Sequence, residues 1–305
     1  MMSKFKVYLN ECFKMKDLGR AKYFLGIEIA RGPEGMFLSQ RKYALDIVAE
    51  AGMLGCKPVS TPMEQNHKLL SDKGAFYTNP ARFRRFVGKL VYLSITRPEL
   101  SYAIHVLSQV MHKPREAHWD AVVRVMRYLK GCPGQGIMLN AASDLRLRIF
   151  CDADWAACPN TRRSLSSFIT LLGNSPISWK TKKQDTVSHS SAEAEYRSMA
   201  AALRELKWLK RLLNDMGVQH KWPMEMFCDS KSALYIANNP VFHERTKHIE
   251  SDCHSVRDAI QDRLIVTRHV RTTEQLADIM TKALGGPAFN YLLSKLGVRN
   301  LHSPT

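Results

Sequence analysis

Seven cysteines, an odd number with no C-x-x-C pair, suggest neither a disulfide framework nor a zinc site, and a reducing compartment fits them best. No apolar run approaches the roughly 18 residues that a membrane span requires. The opening MMSKFKVYLNECFKMKD scatters charge where a signal peptide carries an apolar stretch. The expected location is therefore cytoplasmic or nuclear, with no membrane partner. No internal repeat or low-complexity tract is present. Acidic residues are also scarce: 28 Asp and Glu face 45 Lys and Arg, for a formal net charge of +17. Such an excess fits a polyanionic partner, of which nucleic acid is the usual one.

What is present suits a folded chain of two or three domains, since 305 residues at 45% hydrophobic content can bury more than one core. Phe5, Leu9 and Phe13 give residues 1–15 one apolar side, as a short helix would have. In YFLGIEIARGPEGMFLSQ two apolar runs flank Gly32-Pro33-Glu34-Gly35, which predicts a β-hairpin. Residues 41–51 follow as a helix, and residues 55–79, with Pro58 and Pro62, as a connector. Residues 80–130 have a helical period, with Leu100, Ile104, Leu107 and Met111 on one stripe and Trp119, Val122, Met126 and Leu129 on another. The spacing of His105, His112 and His118 does not place all three on one helical face, so a metal site is not expected there. Gly131, Pro133, Gly134 and Gly136 then punctuate the chain as a boundary would.

Beyond residue 144 the pattern changes. Strands are predicted at residues 145–156, 165–172, 177–182, 224–228 and 264–270. Helices are predicted at residues 191–216, 231–237, 246–263 and 273–284. This order describes an α/β fold with a mixed sheet. Trp155 and Trp179, beside strands, are expected in the core.

Four carboxylates stand out. Asp152 lies within the strand IFCDADWA, where a charge is costly unless paired or metal-bound. Asp229 ends the strand MFCDS, and strand ends are where α/β sheets present ligand-binding groups. Ser190 and Glu193 fit a capping box for the long helix. Glu195, Met199, Ala202, Leu206, Leu209 and Leu213 form its buried stripe, so Glu195 faces the sheet and Glu193 faces away. Thr272 and Gln275 fit a second capping box, ahead of Asp278 near the end of the helix's second turn. Any one of these acids alone could simply meet an arginine. Asp154 lies on the same strand face as Asp152, so strand geometry does not separate the two.

The stretches CDADWAACPNTRRS, SPISWKTKKQDTVSHSSAEAEYRSMAAALRELKWL, FCDSKSALYIANNPVFHERTKHIE and TTEQLADIMTK resemble the ribonuclease H domain of copia-type retrotransposon polyproteins. Upstream, FKMKDLGRAKYFLGIEI resembles the late part of the element's reverse transcriptase. RFVGKLVYLSITRPELSYAIHVLSQVM and HWDAVVRVMRYLKG resemble the segment that joins it to ribonuclease H. The resemblance implies three parts: residues 1–78 from the end of the reverse transcriptase, 79–142 as a helical connection, and 143–300 as a ribonuclease H-like domain. That domain implies a mixed five-stranded sheet with helices on both faces. It also implies Asp152, Glu195, Asp229 and Asp278 as catalytic metal ligands, selecting Asp152 over Asp154 and leaving Glu193 out.

The activity implied is hydrolysis of the RNA strand of an RNA–DNA hybrid with two Mg²⁺ ions, or Mn²⁺, roughly 3.5–4 Å apart. Asp152 would bridge the ions, with Glu195 and Asp229 on one side and Asp278 on the other. Arg162, Arg163, Lys180, Lys182 and Lys183 are the candidates for tracking phosphates. His248 and His269 are candidates for the histidine that cellular ribonucleases H often add, although a structural or surface role is the stronger reading of each. No Asp-Asp dipeptide occurs, so polymerase activity is not expected. Ser167 stands where the family usually has glycine. A catalytically silent nucleic-acid-binding remnant is the alternative function.

Overall fold

Gly35 turns the chain at a φ of 142°, and a β-carbon there would collide with the Leu139 carbonyl, so the predicted hairpin closes on a residue that only glycine can fill. The computed structural model describes residues 2–16, 18–70, 73–239 and 250–301. Helix α1 (Met2–Phe13) and the two-residue strand β1 (Tyr23–Phe24) precede the hairpin arms β2 (Ile27–Gly32) and β3 (Gly35–Ser39). The α1 helix forms as its period predicts, but Phe5 and Phe13 remain 54% and 71% exposed.

Helix α2 (Arg41–Glu50) leads through the connector to α3 (Pro80–Leu93). There Pro80 takes a first-turn position that needs no N–H, and the Asn79 side chain accepts from Arg82 N at 2.9 Å. Helices α4 (Ser101–Ser108) and α5 (Glu116–Gly131) follow. His118 is structural: its Nδ1 accepts the Arg115 N–H at 2.8 Å, and its Nε2 lies 2.6 Å from the Leu69 carbonyl. The run of glycines and Pro133 gives way at once to a strand the punctuation had hidden, β4 (Gln135–Asn140).

The second half supplies β5 (Leu147–Asp154), β6 (Leu165–Leu172), β7 (Ser175–Lys183), α6 (Ser191–Asp215), β8 (Met224–Cys228), α7 (Lys231–Asn238), α8 (Glu250–Gln261) and β9 (Ile265–His269). The sheet order is β7-β6-β5-β8-β9. Neighbours β7/β6 and β6/β5 are antiparallel, while β5/β8 and β8/β9 are parallel. This is the mixed five-stranded α/β sheet implied by the sequence.

One expected helix is corrected. Residues 273–284 do not form a continuous helix; two 3₁₀ turns, Thr272–Glu274 and Leu276–Met280, flank an extended Gln275. The reason is tertiary. The Gln275 amide donates to the Cys151 carbonyl at 3.0 Å and its Oε1 accepts from Ala277 N at 3.3 Å, so the residue expected inside a capping box is pinned to β5 instead. A segment this short has little helical stability of its own to set against that. Regular helix resumes at α9 (Gly286–Lys295), followed by β10 (Val298–Asn300).

β10 joins the first sheet, whose order is β1-β2-β3-β4-β10. One face of the second sheet packs on α6, α7 and α8 through Leu147, Ile149, Cys151, Met199, Leu206 and Met226. Its other face, including Ile169 and Leu171, shares a core with α2–α5, the 276–280 turn and α9. Helices α2–α5 and α9, with the 276–280 turn, are thus the second layer against the sheet that carries the acids.

Candidate metal centre

The acids arrive from four elements. Asp152 lies near the end of β5 with 1% of its surface exposed, and Asp229 follows the last residue of β8. Glu195 sits in the second turn of α6, and Asp278 sits in the 276–280 turn. Oxygens of Asp152, Asp229 and Asp278 lie within 4.8 Å of one another, and so do ligand atoms of Glu195, Cys228 and Asp229. Asp229 belongs to both groups, and all four acids form one connected cluster.

Each carboxylate is held by specific donors. The Thr281 hydroxyl donates to Asp152 Oδ2. Lys282 Nζ stands 3.4 Å from Asp152 Oδ1 and 2.8 Å from Asp278 Oδ1. The Thr272 hydroxyl donates to Asp229 Oδ2 at 2.8 Å, and the Cys228 thiol points at Glu195 Oε2 at 3.8 Å. Ser167 lies opposite Asp152 in the β5/β6 register, and its buried hydroxyl donates to the Ala277 carbonyl at 3.0 Å. Ser167 thus ties β6 to the turn bearing Asp278.

The electrostatics are those of crowded anions. Burial, reinforced by the charge of Asp152 and then by Cys228 and Asp229, pushes Glu195 up to about 10. Burial and then Asp152 push Asp278 up to about 7, against the opposing pull of Lys282. Burial alone would lower Lys282, but Asp152 and Asp278 outweigh it and hold the ammonium above its usual range. One lysine amid four carboxylates leaves a negative surplus. Hard oxygen donors with surplus charge suit a divalent cation such as Mg²⁺, so the residues present fit the metal their family resemblance implies.

The neighbouring acids take other roles. Glu193 accepts the His189 N–H at 2.9 Å and pairs with Arg197 at 2.9 Å. It therefore caps α6 through the residue before Ser190 rather than through Ser190 itself, while Ser190 Oγ accepts from Glu193 N as expected. Asp154 stays half-buried on the edge of the cluster; burial raises its carboxyl, Lys282 opposes and Asp152 adds to the rise.

The basic candidates do not share one surface. Lys180 and Lys182 are exposed and line one cleft with Arg204 and Glu205 beside α6. Lys182 also pairs with Asp185 at 3.1 Å. Lys183 turns the other way, with Nζ 3.2 Å from Cys158 Sγ. Arg162 and Arg163 are exposed in the β5–β6 loop, Arg162 at a φ of 53°. His269 is exposed at the end of β9, in register with Cys228, and His248 lies outside the described residues. Trp155 is 47% exposed, which corrects its expected core placement; its indole N–H reaches the Ser188 carbonyl at 3.0 Å, which anchors it at the surface. Trp179 is half-buried and donates to the Ser94 carbonyl at 3.1 Å.

Thr281, Lys282 and Cys228 were not singled out by sequence reasoning, and Thr272 was expected to cap a helix rather than to hold Asp229. The four-residue spacing of Asp278 and Lys282 was visible but gains meaning only once the turn brings both to Asp152. Among the described residues, no helix is long and apolar enough to cross a membrane.

Residues 1–65 match the family described as Reverse transcriptase (RNA-dependent DNA polymerase). The chain is 46% identical over 290 residues to the retrovirus-related Pol polyprotein from transposon RE2 of Arabidopsis thaliana, a match covering 95% of this chain and 20% of the relative. It is 33% identical to the corresponding polyprotein from transposon TNT 1-94 of Nicotiana tabacum, over 98% of this chain and 23% of that protein. An uncharacterized mitochondrial protein of Arabidopsis thaliana is 50% identical over 66% of this chain and 83% of its own length. The chain therefore spans about a fifth of the Pol polyproteins it matches. Among solved structures, LC11-RNase H1 in complex with an RNA/DNA hybrid aligns over 44% of this chain and 93% of its own, at 14% identity and a TM-score of 0.35.

Proposed function

The chain belongs to the copia-type family of retrotransposon Pol polyproteins, and on that premise we propose that residues 143–300 form a metal-dependent ribonuclease H acting on the RNA strand of RNA–DNA hybrids. Residues 1–78 and 79–142 would be the end of a reverse transcriptase and its connection, without polymerase activity of their own. The observation that carries the proposal is the convergence of Asp152, Asp229 and Asp278 oxygens within 4.8 Å, with Glu195 beside Asp229. These four acids would hold two Mg²⁺ ions, or Mn²⁺. When bound, the cations would activate the attacking water and stabilise the departing 3′ oxygen.

The protein's own contribution is orientation and charge. Thr281 and Thr272 fix the carboxylates of Asp152 and Asp229, and Gln275 and Ser167 fix the turn that carries Asp278. Holding acids rigidly before their ligand arrives removes an ordering cost from binding. Glu195 keeps its proton at neutral pH in the metal-free protein and must release it to act as a ligand. Lys180 and Lys182, with Arg162 and Arg163, would meet phosphates of the hybrid, a contact blind to sequence. In the net reaction the water oxygen bonds to phosphorus, the P–O3′ bond breaks and the 3′ oxygen takes up a proton.

The test is cleavage of a labelled RNA–DNA hybrid by the purified chain with Mg²⁺ or Mn²⁺. Cleavage that disappears in Asp152→Asn, with duplex DNA untouched by the parent, is the expected result. Hybrid binding without metal-dependent cleavage would sink the enzyme and leave a silent nucleic-acid-binding protein.

A further inference from the structure

Lys282 is the cation within ion-pair distance of this acidic cluster among the described residues, and it occupies a particular place in it. Its Nζ shares an oxygen with each of Asp152 and Asp278, the two most deeply buried of the four acids. A metal ion held by the same two carboxylates would compete for those lone pairs and repel an ammonium beside them. The two arrangements exclude each other.

The attachment of Lys282 suits movement. Its backbone N–H bonds to the Asp278 carbonyl at 3.0 Å, which starts the stem beside the cluster, while its side chain remains 33% exposed. Thr281, one residue earlier, is fully buried and fixed on Asp152. A lysine offers a point charge on a flexible four-carbon stem, where an arginine would offer a planar fork. There is also somewhere to go. Lys282 and Asp154 both line a cleft of about 520 Å³ with Tyr102, His67 and Pro159. Asp154 has no ion pair within 4 Å among the described residues, although a half-buried carboxylate gains from one.

We propose that Lys282 is a resident counter-cation: it neutralises Asp152 and Asp278 in the metal-free protein and swings along the cleft to Asp154 when metal binds. This rests on the metal site proposed above and assigns Asp154 as a positioning residue that receives the displaced ammonium.

The test is calorimetric titration of the full chain with Mg²⁺, repeated with Mn²⁺, together with thermal unfolding in EDTA. Lys282→Met should bind Mg²⁺ about tenfold more tightly than the parent, the scale expected for a nearby cation that can relax away, and should unfold at a lower temperature in EDTA. Lys282→Gln keeps most of the side chain without its charge and should show the same gain in affinity, which covers the case of a poorly folding methionine variant. Asp154→Asn should weaken Mg²⁺ binding in the parent and change nothing when combined with Lys282→Met. Affinity unchanged or weakened in both Lys282 variants overturns the proposal. Should the parent cleave hybrid while those affinities stay unchanged, the nuclease stands and the role of Lys282 falls. Tighter binding in the variants of a chain that cleaves no hybrid supports the counter-cation and removes the nuclease. No Mg²⁺ or Mn²⁺ binding by the parent or either Lys282 variant overturns both.

Discussion

Replacing Glu195 by glutamine removes a carboxyl whose proton the folded protein holds and the unfolded chain releases. The unfolded group titrates near 4.5, whereas burial, with Asp152, Cys228 and Asp229, raises the folded group to about 10. Between these values the folded state binds one more proton than the unfolded state, so this group costs stability progressively as pH rises from 4.5 and stops adding cost only above about 10. The slope is about 1.4 kcal/mol per pH unit for one proton. Glutamine has the same shape and no proton to lose. In EDTA, Glu195→Gln should therefore be more stable than the parent, and the gap should widen by about 4 kcal/mol between pH 6 and pH 9. Comparing variant with parent cancels the other groups that titrate in this range, such as Asp278 near 7 and Cys158, which burial would raise but hydrogen bonds from Thr161 and Lys183 bring down to about 7. The measurement is urea unfolding at each pH. A gap that stays constant or narrows with pH would refute the assignment of Glu195 as a carboxylic acid kept neutral by burial and its neighbours. Saturating Mg²⁺ should narrow the gap, since a ligand at about 100 times its dissociation constant stabilises the parent by about 2.7 kcal/mol.

Ser167→Ala should cost about 1–3 kcal/mol in urea unfolding, because the Ala277 carbonyl loses its donor in a buried setting. It should also weaken Mg²⁺ binding by loosening the turn that bears Asp278. Replacing Lys180 and Lys182 together by alanine should lower the slope of log affinity for hybrid against log salt by roughly 1.4–1.8, at about 0.7–0.9 for each phosphate that is no longer neutralised. Lys183→Ala, whose ammonium faces Cys158, should leave that slope unchanged. Deleting the chain from residue 298 onward removes β10 from the edge of β4, and amide hydrogen exchange should accelerate first in β4.

Much of this was readable from residues because the periods were long. The stripe from Glu195 to Leu213 runs along most of one long helix, so the placement of Glu195 toward the sheet and of the helix start at Ser190 holds in the folded chain. The segment around Asp278 lacked that redundancy. Its apolar residues fit a helix, but Gln275 spends its side chain on the Cys151 carbonyl, a partner 124 residues away that no local pattern can reveal. Trp155 misled for a related reason: an aromatic beside a strand belongs in the core only if the strand continues, and β5 ends at Asp154. β4 escaped notice because glycine and proline crowd its start, while β10 is three residues long and exists through its pairing with β4.

That pairing has a topological consequence. Val298 sits opposite Ile137, so β4 and β10 are neighbours in the first sheet although the whole second sheet lies between them in sequence. The acid-bearing sheet is, in effect, cargo inserted between two adjacent strands of a host. An insertion tolerates exchange only if its two ends can be returned to the spacing of a strand pair, about 4.8 Å. A foreign domain whose ends meet that condition is the graft this host sheet is built to accept, whereas the cargo lifted out alone would carry a bare apolar face where α4 now lies.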